Sequence, residues 1–154
     1  MTEIVLARTP ADIAEIRKLF REYAASLDFD LCFQDFDSEL EELPGDYAPP
    51  SGRLFLATVD SLAAGCVALR RLSGVVCEMK RLYVRPEFRG LAIGRQLVEA
   101  IVKEGREAGY RAMRLDTLAS MEAARNIYRS LGFVEIEAYR YNPIEGAVYM
   151  EMIL

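Results

Sequence analysis

The segment Val84-Arg85-Pro86-Glu87-Phe88-Arg89-Gly90-Leu91-Ala92-Ile93-Gly94-Arg95-Gln96-Leu97 gathers residue types that can hold an anion. It reads as a strand stopped at a proline, a short basic turn, and a helix opening on small residues. Such a helix aims unpaired backbone N–H groups, and the positive end of its dipole, at one spot. Small residues let a ligand approach that backbone, and Arg89 and Arg95 add full positive charge. The chemistry this cradle suits is the binding of a phosphate or pyrophosphate. Two common phosphate loops do not fit. No GK[ST] follows the glycines, as a Walker loop requires. Gly90, Ala92 and Gly94 also stand in mid-chain, away from the first strand–helix unit where a dinucleotide fingerprint belongs.

The chain contains no histidine. Proton transfer must therefore use Glu, Asp, Tyr, Cys, Lys or water, which excludes a Ser-His-Asp or Cys-His triad and a histidine-bearing zinc site. Cys32, Cys66 and Cys77 are odd in number and lack zinc spacing, so they read as small core residues of a reduced compartment and no metal is expected. The net charge of −5 argues against general nucleic-acid binding.

The distribution of charge says more than its sum. From Glu22 to Gly52 there is no Lys or Arg, while Asp28, Asp30, Asp35, Asp37, Glu39, Glu41, Glu42 and Asp46 accumulate. Arg70, Arg71, Lys80, Arg81, Arg85, Arg89 and Arg95 concentrate around the glycine turn. One half is suited to an anion and the other to a cation. Each single carboxylate of the acidic stretch reads equally well as part of a solvated face.

The elements that must position these groups follow from spacing. Glu3 to Arg8 reads as a strand. Thr9-Pro10 then opens an amphipathic helix reaching about Ser26, with Ile13, Ile16, Leu19, Phe20 and Tyr23 on one face. A shorter helix is expected over Phe33 to Leu43, and a loop over Asp46 to Gly52. Arg53–Val59, Ala63–Arg71 and Val75–Val84 form an antiparallel meander with turns at Asp60-Ser61 and Ser73-Gly74. Gly90 to Ala108 is a long helix stopped by Gly109. A strand at Arg111–Thr117, a helix from Met121 to Leu131 and strands at Phe133–Ala138 and Ala147–Ile153 complete the chain. The fold class is α/β (α+β), with one mixed sheet.

A chain of 154 residues with 52% hydrophobic and 28% charged residues suits one soluble domain spanning 1–154. No apolar run approaches the roughly 18–20 residues of a membrane span, and Met1–Ala7 lacks the marks of a signal peptide. The expectation is a cytoplasmic protein with no membrane or nucleic-acid partner.

From Glu78 to Leu97, and again through Tyr128 to Phe133, the sequence closely resembles the GNAT superfamily of acyl-CoA-dependent N-acetyltransferases. The family's pyrophosphate motif is Arg/Gln-x-x-Gly-x-Gly/Ala. Arg89-Gly90-Leu91-Ala92-Ile93-Gly94 matches it with Ala92 in place of the middle glycine, a mild change if φ there is negative. Met121-Glu122-Ala123-Ala124-Arg125-Asn126-Ile127-Tyr128-Arg129-Ser130-Leu131-Gly132-Phe133 resembles the family's Asn-x-x-Ala-x-x-x-Tyr-x-x-x-Gly-Phe block. Met121 there replaces the asparagine that usually helps to hold coenzyme A; Ser120 or Asn126 could substitute.

The resemblance implies a GNAT fold, with a largely antiparallel sheet of about six to seven strands flanked by about four helices. It implies acetyl-CoA as co-substrate, contacted by Leu82, Tyr83, Val84, Arg89, Gly90, Leu91, Ala92, Ile93, Gly94, Arg95 and Tyr128. Leu82 and Val84 would pair with the pantetheine arm like an added strand, and the Val84 N–H would polarise the thioester carbonyl. Tyr128 is the expected acid for the leaving thiolate, and Glu78, six residues before Val84, the expected base. A water relay is the alternative base, and Lys80 and Arg81 read equally well as structural ion pairs. The acceptor wall would include Phe29, Phe33 and Tyr141, with Leu31, Asp35, Asp37 and Asn142 beside them. Its acidic, aromatic character favours a small or cationic amine, or a peptide amine. The rival reading is a non-catalytic acyl-CoA sensor or interaction module. Family members are often dimers, which adds a homodimer to the expectations.

Overall fold

The computed structural model describes residues 1–27 and 35–154. The chain runs β1 (Thr2–Leu6), α1 (Pro10–Ser26), α2 (Phe36–Glu42), β2 (Arg53–Val59), β3 (Leu62–Ser73), β4 (Val76–Val84), α3 (Ile93–Glu107), β5 (Ala112–Leu118), α4 (Glu122–Leu131), β6 (Val134–Ile136) and β7 (Ala147–Ile153). The seven strands form one sheet in the order β1-β2-β3-β4-β5-β7-β6. All neighbours are antiparallel except β4 and β5. This is the mixed, mostly antiparallel sheet with four helices that the spacing and the resemblance predict.

Alternation along the strands supplies two apolar faces. On β2, Leu54 and Leu56 pack with Ile16, Leu19 and Phe20 of α1, while Phe55 and Ala57 pack with Leu97, Val98 and Ile101 of α3. The sheet is therefore covered by α1 and α2 on one face and by α3 and α4 on the other. Thr9 fixes the start of α1: its hydroxyl accepts from the Asp12 N–H at 3.1 Å, and the Asp12 carboxylate accepts from the Thr9 N–H at 3.3 Å. Cys66 and Cys77 are both buried with free thiols, one on each face.

Strand β4 is irregular in two places. It pairs with β5 only at Val76–Glu78 against Ala112–Arg114, so beyond Glu78 the parallel strands part. The β3–β4 register also places Cys66 opposite Tyr83 and Ala68 opposite Lys80, leaving Val67 to face two residues, Arg81 and Leu82. This is a bulge, and Arg81 carries it with φ at +60°.

Candidate active site

Where β4 and β5 part, a cavity of about 670 Å³ opens between the end of β4, the start of α3 and the start of α4. Leu82, Tyr83, Val84, Arg89, Gly90, Ala92, Ile93, Gly94 and Arg95 line it, together with Ser120 and Met121. Nine of the expected coenzyme A contacts thus meet at one wall. Leu91 does not line it; its side chain is half exposed. Tyr128 lines an adjoining cavity.

Helix α3 begins at Ile93, three residues later than the run of small residues suggests. Its first helical bond to the capping residue runs from the Gln96 N–H to the Ala92 carbonyl at 3.1 Å. The amides of Ile93, Gly94 and Arg95 therefore lack helical acceptors, and all three residues line the cavity. Gly90 has φ of +89° and Ala92 has φ of +61°. The proviso of a negative φ at Ala92 fails: alanine sits in the left-handed region where glycine is the easy choice, at a cost of about 1 kcal/mol. The basic flanks are anchored. Arg89 Nε donates to the Val84 carbonyl at 3.1 Å, and Arg95 donates to Ser130 Oγ at 2.7 Å while pairing with Glu99 at 3.1 Å.

On β4, Met79 to Val84 carries β3 along one edge and, among the described residues, no strand ladder along the other. An extended chain laid in the gap would find backbone donors and acceptors there, which is the geometry of strand addition.

A second, smaller cavity of about 80 Å³ continues the first into the splay. Tyr23, Leu82, Met121 and Ala124 line both, and Lys80, Asp116, Thr117, Tyr128 and Asn142 line the smaller one. Tyr128 is buried, its ring 5.7 Å from that of Phe133. Burial foremost, then Tyr23 and Asp116, pushes its phenol far above the usual tyrosine range, so it holds its proton. Asp116 accepts from Asn142 Nδ2 at 3.2 Å, and Asn142 Oδ1 accepts from the Ile144 N–H at 2.9 Å, which ties the β6–β7 loop to the cavity. Lys80 is pulled down to about 7 by burial first and by the Arg81 charge second.

Glu78 is placed differently from what a free base needs. Its side chain has no exposed surface and lines neither cavity. One carboxylate oxygen accepts from Arg70 Nε at 3.0 Å, the other from Tyr139 Oη at 2.7 Å and from Arg140, and Lys80 Nζ lies 4.0 Å away. These partners stabilise the charged form and occupy its lone pairs, so the carboxylate acts as the hub of an ion network. Tyr141 is 83% exposed and lines neither of these two cavities; its neighbour Asn142 lines the smaller one instead. Phe29, Leu31 and Phe33 lie outside the described residues. Asp35 lines a separate acidic hollow beside Glu39, Glu42 and Asp46. Spacing does not mark Tyr23, Asp116 or Thr117 as site residues. Tyr23 reads as core on α1, and nothing local to β5 distinguishes Asp116.

No helix among the described residues is long and apolar enough to cross a membrane, and no group of three or more Cys, Asp or Glu side chains among them could hold a metal ion. The profile of the acetyltransferase (GNAT) family matches residues 13–133. An uncharacterized N-acetyltransferase of Schizosaccharomyces pombe is 41% identical over 151 residues, covering 97% of this chain and 93% of that protein. Among solved structures, a GNAT-family acetyltransferase from Staphylococcus aureus Mu50 superposes with a TM-score of 0.80 at 20% identity, over 99% of each chain. A PaiA N-acetyltransferase from Thermoplasma acidophilum, in complex with coenzyme A, gives 0.76 at 18% identity, over 100% of this chain and 99% of that one. With the splayed sheet, the open helix start and these matches in agreement, the chain belongs to the GNAT family of acetyltransferases.

Proposed function

We propose that this protein transfers the acetyl group of acetyl-CoA directly to a primary amine, with both substrates bound at once. The observation that carries the reading is the continuity of the two cavities through Tyr23, Leu82, Met121 and Ala124. The large cavity offers three open helix amides and two arginines to a pyrophosphate, and a free strand edge to a pantetheine arm. The small cavity offers a protonated Tyr128 where the thioester would end. Tyr128 gives its proton to the leaving sulfur.

The acceptor reaches the small cavity from the side of α1, α2 and the β6–β7 loop. Asp116 supplies a carboxylate there for an amine that arrives as ammonium. The acidic stretch from Asp35 to Asp46 supports the same preference at longer range, favouring a small or cationic amine over an acidic one.

Two measurements on the purified protein test this. Acetyl-CoA should raise the melting temperature markedly, while ATP or NAD should do little. Thiol release from acetyl-CoA should then appear with cationic primary amines and weaken with acidic ones. Binding without thiol release on any amine would favour an acyl-CoA sensor, turnover confined to acidic amines would overturn the acceptor class, and no thermal shift would remove both readings.

A further inference from the structure

The cavity's ionisable groups fall on two sides of the sheet. Directly paired strand residues share a face. Lys80 is opposite Ala68, and Tyr83 is opposite Cys66, both of which pack on the α1/α2 side. Tyr128 belongs to the core on the α3/α4 side. The small cavity passes through the splay between these faces, so Lys80 and Tyr128 line it from opposite sides. In register with Glu78 and Arg114, Lys80 and Asp116 stand one alternation further along the two parting strands.

We propose that Lys80 is the general base of the transfer, taking the proton of the acceptor ammonium on the side of the splay away from Tyr128. The inference rests on the acetyl-transfer reading. The neutral Lys80 amine accepts a proton from the acceptor R–NH3⁺, leaving R–NH2. The freed lone pair forms the C–N bond to the thioester carbonyl, and the C–S bond breaks. Tyr128 protonates the departing sulfur, and its phenolate recovers the second proton from the new amide nitrogen. Lys80 then releases its proton to solvent.

The surroundings of Lys80 suit this role better than those of Glu78. On its own strand it pairs with Glu78 at 4.0 Å, a carboxylate that Arg70, Arg140 and Tyr139 also engage, and it neighbours Arg81, which pairs with Glu39 of α2 at 2.9 Å. Arg70 faces it from β3, Asp116 from β5, Tyr23 from α1 and Tyr128 from α4. Desolvation and the arginines favour the neutral amine, while Asp116 and Glu39 stabilise the ammonium once formed. A base balanced near working pH is the most effective kind.

The test is the pH dependence of kcat in the wild-type protein, with two acceptor amines of different basicity, repeated for Lys80→Met and Lys80→Arg. The acid limb of the wild type should fall near 7 and stay there when the amine is changed. A limb that moves with the amine's own basicity overturns the proposal. Both variants should lose on the order of 100-fold in kcat near pH 7.5, with acetyl-CoA affinity by calorimetry unchanged, and the deficit should shrink as pH rises. Lys80→Arg keeps a charge but cannot act as a base, so wild-type activity in that variant also overturns the proposal. Absence of turnover in the wild type with every amine would instead count against the acetyl-transfer reading itself.

Discussion

The large cavity is walled mainly by one continuous run, Leu82 to Arg95, in which backbone amides, small residues and a free strand edge supply the contacts. The small cavity gathers Tyr23, Lys80, Asp116, Tyr128 and Asn142 from five separate segments, and four of these five side chains are ionisable. On the proposed function, the difference follows from what each must recognise. A pyrophosphate and an extended pantetheine arm are met by backbone geometry, which tolerates many side chains. An amine that must lose a proton needs titratable groups held at chosen protonation states, and those require burial and partners drawn from across the fold.

Substitutions can break that contrast, beginning with the residue that closes the small cavity. Tyr128→Phe should lower kcat by about 100-fold or more while leaving the acetyl-CoA dissociation constant unchanged, read by thiol release and calorimetry. An unchanged kcat would make the ring a packing group only. Glu78→Gln should act on the other side of the contrast. Removing the hub charge leaves Arg70 and Arg140 partly buried with less compensation, so unfolding stability should drop by about 3 kcal/mol in a urea titration. A wild-type midpoint with activity abolished would return Glu78 to the role of base.

Ala92→Gly sharpens the contrast from the cofactor side. Relief of the left-handed alanine should raise stability by about 1 kcal/mol, with acetyl-CoA affinity equal or tighter; a destabilised variant would mean that α3 does not begin as described. The smallest effect is expected at Tyr141→Ala, below about 0.5 kcal/mol in stability with the acceptor KM unchanged. A clear rise in that KM would bring the exposed ring into the acceptor wall.

The same contrast explains what can be read from residues alone. The run from Val84 to Leu97 carries its own meaning, because a strand end, a turn and a helix start are local. The α3 helix is equally visible, since Leu97, Ile101 and Val98, Val102 repeat at helical spacing. The φ of Ala92 is not visible, because the residue type gives no sign of a left-handed position. Glu78 looks like an available strand carboxylate because its partners Tyr139 and Arg140 lie 61 and 62 residues away. Lys80 is obscured by the bulge. Strict alternation would group Lys80 with Leu82 and Val84, whereas the extra residue puts it with Arg81 and Tyr83 against α1 and α2.

The claim on which the rest depends is that coenzyme A lies in the gap between β4 and β5 with its pyrophosphate on the start of α3. A crystal structure of the protein grown with coenzyme A tests it most directly. Phosphate oxygens are expected within hydrogen-bond distance of the Ile93, Gly94 and Arg95 amides, with the pantetheine arm alongside Leu82–Val84 and the sulfur beside Tyr128. A pyrophosphate seated elsewhere, with the amides of α3 left to water, would contradict it.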